Sequence, residues 1–271
     1  MQNICRIFLI VTATIFLNAC SVNKAKIDND LAEYFKPYTN QGCFTLLDNS
    51  TGEITVYNLS MDTTRVAPYF TFNILNALIA LQNGIVTDEN MVIKMDSTKT
   101  SNLQSTNEST IVSAFQKNNV SVFQEISRRL GYDTLQSWID TVSYGNKMIT
   151  NPVDSFWLNN KIKISPDEQL GLLKRLYFDQ LPFRKSTQEQ VRNMMIKEDN
   201  SVYKLSYVTG NGADEKNNII DWNIGWIEEN KHVYFFVCNT KSEKNNNSNN
   251  QIANKITKDI LTHYGFFKGV K

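Results

Sequence analysis

The alternation of apolar and polar residues divides the chain into three parts. Two β-prone runs, "CFTLLD" and "EITVYN", are joined by a glycine-containing turn and predict an early hairpin. A long middle part has helical periodicity, and three further β-prone runs, "YKLSYVTG", "DWNIGWIEE" and "KHVYFFVCN", precede a last helix. This order predicts an α+β fold: an antiparallel sheet of five or more strands, flanked by helices and interrupted by a large helical insertion.

Apolar spacing and capping residues predict individual helices. Residues 71–83 are apolar on most sides and end at Gly84, which indicates a helix at the centre of the protein. The "SPDE" at 165–168 has the capping-box pattern with proline at the first helical position, and "STQE" at 186–189 repeats it. Residues 251–264 predict a final helix with one apolar side.

The N-terminal segment reads as an export signal rather than as part of the fold. Arg6 precedes the apolar run "IFLIVTATIFL", which is shorter than the roughly 20 residues that span a bilayer. Cys20 directly follows "LNA", which resembles a bacterial lipobox. We therefore expect a signal peptide at 1–19, a lipidated Cys20 and polar tether at 20–30, and one domain at 31–271. The alternative is an ordinary secretory signal followed by a coincidental cysteine.

The composition excludes several classes of function. The chain has 271 residues and a formal net charge of +1, so it offers no electrostatic argument for nucleic-acid binding. It lacks the GxxxxGK[ST] and GxGxxG patterns of nucleotide sites. His232 and His263 are the only histidines, which argues against a histidine metal site or a Ser-His-Asp relay, and we expect both to face solvent. We predict no metal and no cofactor.

The order and wording of the segments resemble the class D serine β-lactamases and the related penicillin-sensor domains. The resemblance runs from about Gly42 to Phe267. The stretches that carry it are "FNILNALIAL", "FQEISRRLG", "SYGN", "DSFWLNNKIKISPDEQ", "LPF" and "GWIE". It implies a β-lactamase/transpeptidase-like fold and a nucleophilic chemistry. In that family a serine opens the lactam ring, and a lysine on the same helix face, in an S-x-x-K motif, acts as its base.

Aligned with that family, "RVAPYFTFNILNAL" matches without a gap but lacks the reactive groups. Phe70 occupies the serine position and Asn73 the lysine position, which in class D is typically carbamylated. Asn118 replaces the serine of the S-x-V motif, and Val208 replaces the lysine of K-T-G. The resemblance implies binding roles for positions that are retained or lie beside the motifs, namely Val120, Tyr144, Asn146, Trp157, Thr209, Gly210 and Asn211.

Phenylalanine has no nucleophilic atom, and an asparagine amide is no base near neutral pH. Loss of the nucleophile alone costs a serine hydrolase about 10⁶-fold in turnover. We predict that Phe70, Trp157 and Val208 lie close together and partly fill the former active site, although Trp157 could be core filling only. Thr71 could be a substitute nucleophile, but one residue along a helix turns the side chain by about 100°. Ser121 and Ser127 lie near the second motif without aligning with it.

The resemblance also bears on two cysteines in β-prone runs. Cys43 and Cys238 are either buried packing residues or, if their strands are neighbours, a disulfide. In the related fold the first strand lies beside the last, so we expect a disulfide or at least a buried contact. A Cα separation above about 7 Å would exclude the bond.

Three functions remain open at the level of sequence. The first is a non-catalytic lipoprotein of the penicillin-recognising fold, exported and facing the periplasm or cell exterior, which binds cell-wall peptide, a β-lactam or an envelope protein. The second is a β-lactam hydrolase or penicillin-acylated sensor that uses an unrecognised nucleophile. The third is a structural domain without a ligand.

Overall fold

A seven-stranded sheet organises the molecule in this computed structural model, which describes residues 25–39, 41–95, 108–243 and 251–271. The strand order is β1-β3-β2-β9-β8-β7-β6, and a separate pair is formed by β4 and β5. The strands are β1 (Ala25–Ile27), β2 (Gln41–Asp48), β3 (Ile54–Tyr57), β4 (Val92–Lys94), β5 (Glu108–Thr110), β6 (Ile196–Asp199), β7 (Tyr203–Ala213), β8 (Ile219–Glu229) and β9 (His232–Ser242). The predicted signal peptide and Cys20 lie outside the described residues.

The predicted antiparallel sheet is confirmed, with one exception at its edge. β2 and β6 to β9 pair antiparallel throughout, whereas β1 runs parallel to β3. β1 and the first two residues of the 3-10 turn Asn29–Leu31 fall within the segment 20–30 predicted to be a tether. The folded part therefore begins before residue 31, because the three residues of β1 pair with the backbone of β3.

Helices cover both faces of the sheet. They are α1 (Ala32–Phe35), α2 (Leu59–Asp62), α3 (Asn73–Gln82), α4 (Ile111–Gln116), α5 (Val120–Leu130), α6 (Tyr132–Val142), α7 (Pro166–Tyr177), α8 (Lys185–Met195) and α9 (Ile252–His263). α9 closes a smaller core on one face, and α3 lies in the centre of the larger core on the other. No helix within the described ranges is long and apolar enough to cross a membrane.

The two predicted caps have different outcomes. At α7 the capping box is present, since Ser165 N donates to Glu168 Oε2 at 3.0 Å. At α8 the prediction is wrong, because the helix begins at Lys185 after the extended residue Arg184. Gln188 has another task there: its Nε2 donates to the carbonyl oxygens of Leu181 and Phe183 at 3.1 and 2.9 Å.

Of the two alternatives for Cys43 and Cys238, the disulfide is wrong and buried packing is confirmed, although the two strands are neighbours. Cys43 pairs in register with Asn239, and Cys238 pairs with Phe44. Successive side chains on a strand point to opposite faces, so this offset of one residue sends the two thiols to opposite sides of the sheet. Both cysteines are buried and free, and burial raises the pKa of each thiol above its ordinary value.

Candidate functional site

The serine position of the family motif holds a packed aromatic ring. Phe70 lies in the 3-10 turn Tyr69–Phe72, which leads directly into α3. Its side chain is 3% exposed, and its ring meets the edges of Phe123 and Phe115 at centroid distances of 5.4 and 6.1 Å. An aromatic ring therefore stands at the position of the attacking oxygen, and it packs the turn against α4 and α5.

The lysine position belongs to a small buried group of amides. Asn73, the first residue of α3, is fully buried, and its Oδ1 accepts from Asn76 Nδ2 at 3.4 Å. Asn76 Nδ2 also donates to Ser127 Oγ at 2.9 Å. The buried Ser127 hydroxyl thus has amides as neighbours, and this group contains no amine that could act as a base.

The hydroxyl of Thr71, the candidate substitute nucleophile, is used in structural hydrogen bonds. It is fully buried, and its Oγ1 donates to the carbonyl oxygen of Pro68 at 2.8 Å. The same oxygen accepts from Gln169 Nε2 at 2.8 Å. Neither partner can take its proton, so the hydroxyl lacks the adjacent base that activates a nucleophile.

The predicted second and third motifs meet across the cleft at β7. Asn118, which has a backbone φ of 52°, donates through Nδ2 to Thr209 Oγ1 at 3.0 Å and to Thr209 O at 3.3 Å. A Cβ at Gly210 would lie 2.9 Å from the backbone nitrogens of Phe70 and Thr71, so a side chain there would push the strand away. β7 therefore lies directly against the turn that carries Phe70.

The other predicted residues of the cleft have different surroundings. Val208 is buried in the same core cluster as Phe70 and Trp157. Trp157, however, stacks on Phe72 at 5.4 Å, and no ring pair in the described chain joins it to Phe70. Fully buried and with no partner for its Nε1 in the described chain, Trp157 fills the core beside the turn rather than the cleft itself.

The turn at residues 144–146 packs beside the cleft and bonds to the backbone of residues 161–163. Asn146 Nδ2 donates to Lys161 O, and its Oδ1 accepts from Lys163 N, both at 2.9 Å. A Cβ at Gly145 would collide with Lys163 O, and the ring of buried Tyr144 meets the edge of Phe72 at 5.5 Å. The expectation that Tyr144 and Asn146 contact a ligand is not supported, because one is buried and the amide of the other is committed to backbone.

The remaining binding candidates lie on two elements. Val120 is the first residue of α5 and packs half-buried against the larger core. Asn211 is half-buried on β7, opposite Asp221 of β8. Of the residues predicted to bind, Thr209 and Asn211 thus keep exposed surface beside the turn.

Two residues of the cleft had no signal in the sequence. The hydroxyl of Tyr69 donates to Asn160 Oδ1 at 3.1 Å, and Asn160 Nδ2 donates to Ala213 O at 3.1 Å. The Tyr69 ring covers Gly212, where a Cβ would collide with it. Both Tyr69 and Asn160 have positive φ, at 48° and 64°. Such conformations depend on tertiary contacts and are not encoded in local periodicity.

The described residues contain no cluster of three or more histidine, cysteine or acidic side chains that could hold a metal ion. Carboxyl groups with raised pKa lie elsewhere. Burial, together with Asp167, raises the pKa of Asp62 to about 6 against the lowering effect of its bond from Thr45. Burial likewise raises the pKa of Asp221 to about 6.

Residues 42–262 match the family described as penicillin binding protein transpeptidase domain, and the chain belongs to that family. A relative from Bacillus subtilis, named probable beta-lactamase YbxI, is 32% identical over 90% of this chain and 86% of its own length. Regulatory protein BlaR1 of Bacillus licheniformis is 28% identical over 89% of this chain, which spans only 40% of that relative.

A solved structure agrees with these relatives. The C-terminal domain of the Bacillus licheniformis BlaR penicillin-receptor superposes with a TM-score of 0.82 at 26% identity, covering 91% of this chain and 98% of that domain. The resemblance to the class D β-lactamases and penicillin sensors is therefore confirmed, together with the mixed α+β fold.

Proposed function

We propose that this protein is a catalytically inert binding module of the penicillin-recognising fold, exported and held at a bacterial membrane by a lipid on Cys20. The observation that carries the proposal is the burial of Phe70 and Asn73 at the nucleophile and base positions. Inertness follows because the described head of α3 contains no hydroxyl with a base beside it.

The open edge of β7 supports a binding role. β6 pairs only with residues 204–206 of β7, so residues 207–213 have β8 on one side alone within the described sheet. The other edge of β7 contacts side chains in place of a strand. Asn118 and Asn160 donate hydrogen bonds there to the carbonyl oxygens of Thr209 and Ala213. An extended cell-wall peptide or a β-lactam would bind along this edge by adding a strand-like row of hydrogen bonds, displacing these two amides.

The first experiment asks whether the chain reacts. We expect neither covalent labelling by a fluorescent penicillin nor hydrolysis of a chromogenic cephalosporin above a denatured control. The triple variant Phe70→Ser, Asn73→Lys, Val208→Lys should gain labelling, and a matched triple with Phe70→Ala in place of Phe70→Ser should not. Turnover by the unchanged chain would overturn the proposal.

The second experiment measures binding without reaction. Titration calorimetry with a soluble cell-wall peptide and with an intact penicillin should show heats that Gly210→Ala abolishes, because the added Cβ disturbs the contact between β7 and the turn at Phe70. Asn118→Ala should bind more tightly, since one competing amide is removed. If neither compound binds, the partner is an envelope protein or the domain is structural.

A penicillin-acylated sensor is the second candidate, and the match to the BlaR penicillin-receptor domain favours it. It predicts a covalent adduct on the unchanged chain. Peptide mapping would then place the label on an unrecognised nucleophile such as Thr71, Ser121 or Ser127. Anchoring is tested separately: Cys20→Ser should release the protein from the membrane fraction and abolish incorporation of labelled fatty acid.

A further inference from the structure

A second groove lies on the same face of the sheet, towards the other end of β7. It has a volume of about 320 Å³ and is bounded by the end of α7, by α8 and by β6 to β8. We name it the α8–β7 groove and define it by Tyr177, Glu189, Ser206, Trp226 and Glu228. Trp226 and Glu228 belong to the "GWIE" stretch that resembles the family, whereas Tyr177, Glu189 and Ser206 lie outside the quoted stretches.

The floor of the groove carries an unused hydroxyl. Ser206 of β7 and Trp226 of β8 are register partners, so their side chains lie next to each other on one face. Ser206 is fully buried, and its Oγ has no hydrogen-bond partner in the described chain. A buried hydroxyl without a partner costs about 1–3 kcal/mol, so a group that hydrogen-bonds to Ser206 Oγ would remove this cost.

The charges of the groove are unbalanced. Arg192 is neutralised by Asp179, with Nη1 and Oδ1 2.5 Å apart, and Lys204 is paired with Asp199 at 3.2 Å. Glu189 and Glu228 line the groove, and neither forms an ion pair with any described residue. Glu228 lies opposite Lys204 in the β7–β8 register and accepts a hydrogen bond from the Tyr177 hydroxyl. The groove and its ion pairs therefore bring together four carboxylates and two cations, an excess of negative charge.

Aromatic rings form one wall. Tyr177 and Trp226 meet edge to face at 5.5 Å. Burial, reinforced by Glu228, raises the pKa of Tyr177 to about 12, so its hydroxyl keeps its proton at neutral pH. Aromatic faces beside carboxylates attract cations and repel anions.

We propose that the α8–β7 groove binds an ammonium group carried on a short alkyl chain, such as a lysine-like side chain of a peptide. Glu189 and Glu228 balance the charge, Ser206 Oγ accepts one N–H, and Trp226 with Tyr177 covers the methylene groups. The volume is at the small end for a ligand site, which suits one such chain. This site is independent of the function proposed for the cleft.

The test uses the full chain, ¹⁵N-labelled and solubilised in a neutral detergent, with propylammonium chloride as the probe. The chain has four tryptophans, so four indole N–H signals can be followed. One of them, identified by its loss in Trp226→Phe, should shift and saturate with propylammonium. Propanol and sodium propionate, which keep the size of the probe without its positive charge, should leave it unchanged.

Variants identify the groups responsible. Glu228→Gln should weaken propylammonium binding about fivefold and the exposed Glu189→Gln about twofold, as expected for partly screened charge pairs. Glu215→Gln removes a carboxylate from a different groove and should change nothing. The proposal is overturned if propylammonium shifts no indole signal, if propanol shifts it equally, or if propionate binds instead through Arg192 and Lys204. Glu189 is exposed, so its variant keeps the test valid should Trp226→Phe not fold.

Discussion

The head of α3 and the turn at residues 144–146 lie on either side of Phe72, yet they differ in how they match the family. At the head, Phe70 and Asn73 replace the two groups that would perform the chemistry, and both are buried. At the turn, Gly145 and Asn146 match the family: Gly145 leaves room for Lys163 O, and Asn146 Oδ1 accepts from Lys163 N.

This difference separates residues that serve a reaction from residues that serve the frame. A side chain that only reacts can be exchanged for an apolar one, and the core gains packing from Phe70. A side chain that satisfies partly buried backbone groups cannot be exchanged so easily, because its loss leaves those groups without their protein partner. The comparison therefore predicts that both regions now contribute to stability, by different means.

Phe70→Ala should have the largest effect and tests whether the head has become core. Removing a buried phenylalanine ring costs about 3–5 kcal/mol through lost burial and the remaining cavity. The free energy of unfolding from urea titration measures this loss, and Phe70→Leu, which keeps most of the volume, is the matched control. A loss below about 1 kcal/mol for Phe70→Ala would show that the ring is not packed as described.

Asn146→Ala should follow, with a loss of about 1–2 kcal/mol, because the part-buried Lys163 N and the more exposed Lys161 O lose their partner. Asn146→Asp is the informative companion. It keeps the acceptor for Lys163 N but lacks the donor for Lys161 O, so it should fall between the wild type and Asn146→Ala. Equal stability of all three proteins would contradict the supporting role of the turn.

The dependence of stability on pH gives a third test. Residues 70–76 and 144–146 contain no carboxyl group, so their contribution to stability should not change between pH 7 and 4. The pKa of Asp62 is raised to about 6 in the folded protein, so the folded state holds this proton more tightly than the unfolded state. As the pH falls from 7 to 4, the wild type should gain about 2 kcal/mol relative to Asp62→Asn. The losses in Phe70→Ala and Asn146→Ala should stay constant over the same range.

Asn118→Ala should have the smallest effect on stability, about 0.5 kcal/mol, because Asn118 is exposed and its bonds to Thr209 compete with water. Thermal unfolding at neutral pH measures it. A loss of stability as large as that of Asn146→Ala would show that Asn118 has a structural role. It would then not be a residue that a ligand displaces from the edge of β7.

Features that depend on nearby residues were predictable from the sequence. The centre of α3 follows from its apolar run, and the cap at Ser165 from four consecutive residues. The contact between Asn118 and Thr209 required the family resemblance, because 91 residues separate them.

Features that depend on register or on packing between distant elements were not predictable. The faces of Cys43 and Cys238 are decided by an offset of one residue, which no composition reveals. Ser206 looked like an ordinary strand residue, and only the packing of α8 against β7 leaves its hydroxyl without a partner. The contact of Tyr69 with Asn160 likewise arises from two left-handed backbones that meet in three dimensions.

The parallel strand β1 has a mechanical consequence. It is three residues long and the outermost strand on its side, and among the described strands it pairs with β3 and no other. A pulling force applied at the N-terminus would load these few hydrogen bonds first and strip β1 away before it reached β2 and the core. We therefore expect β1 to detach first under tension. Its detachment would lengthen the N-terminal segment while the cleft and the α8–β7 groove stay folded.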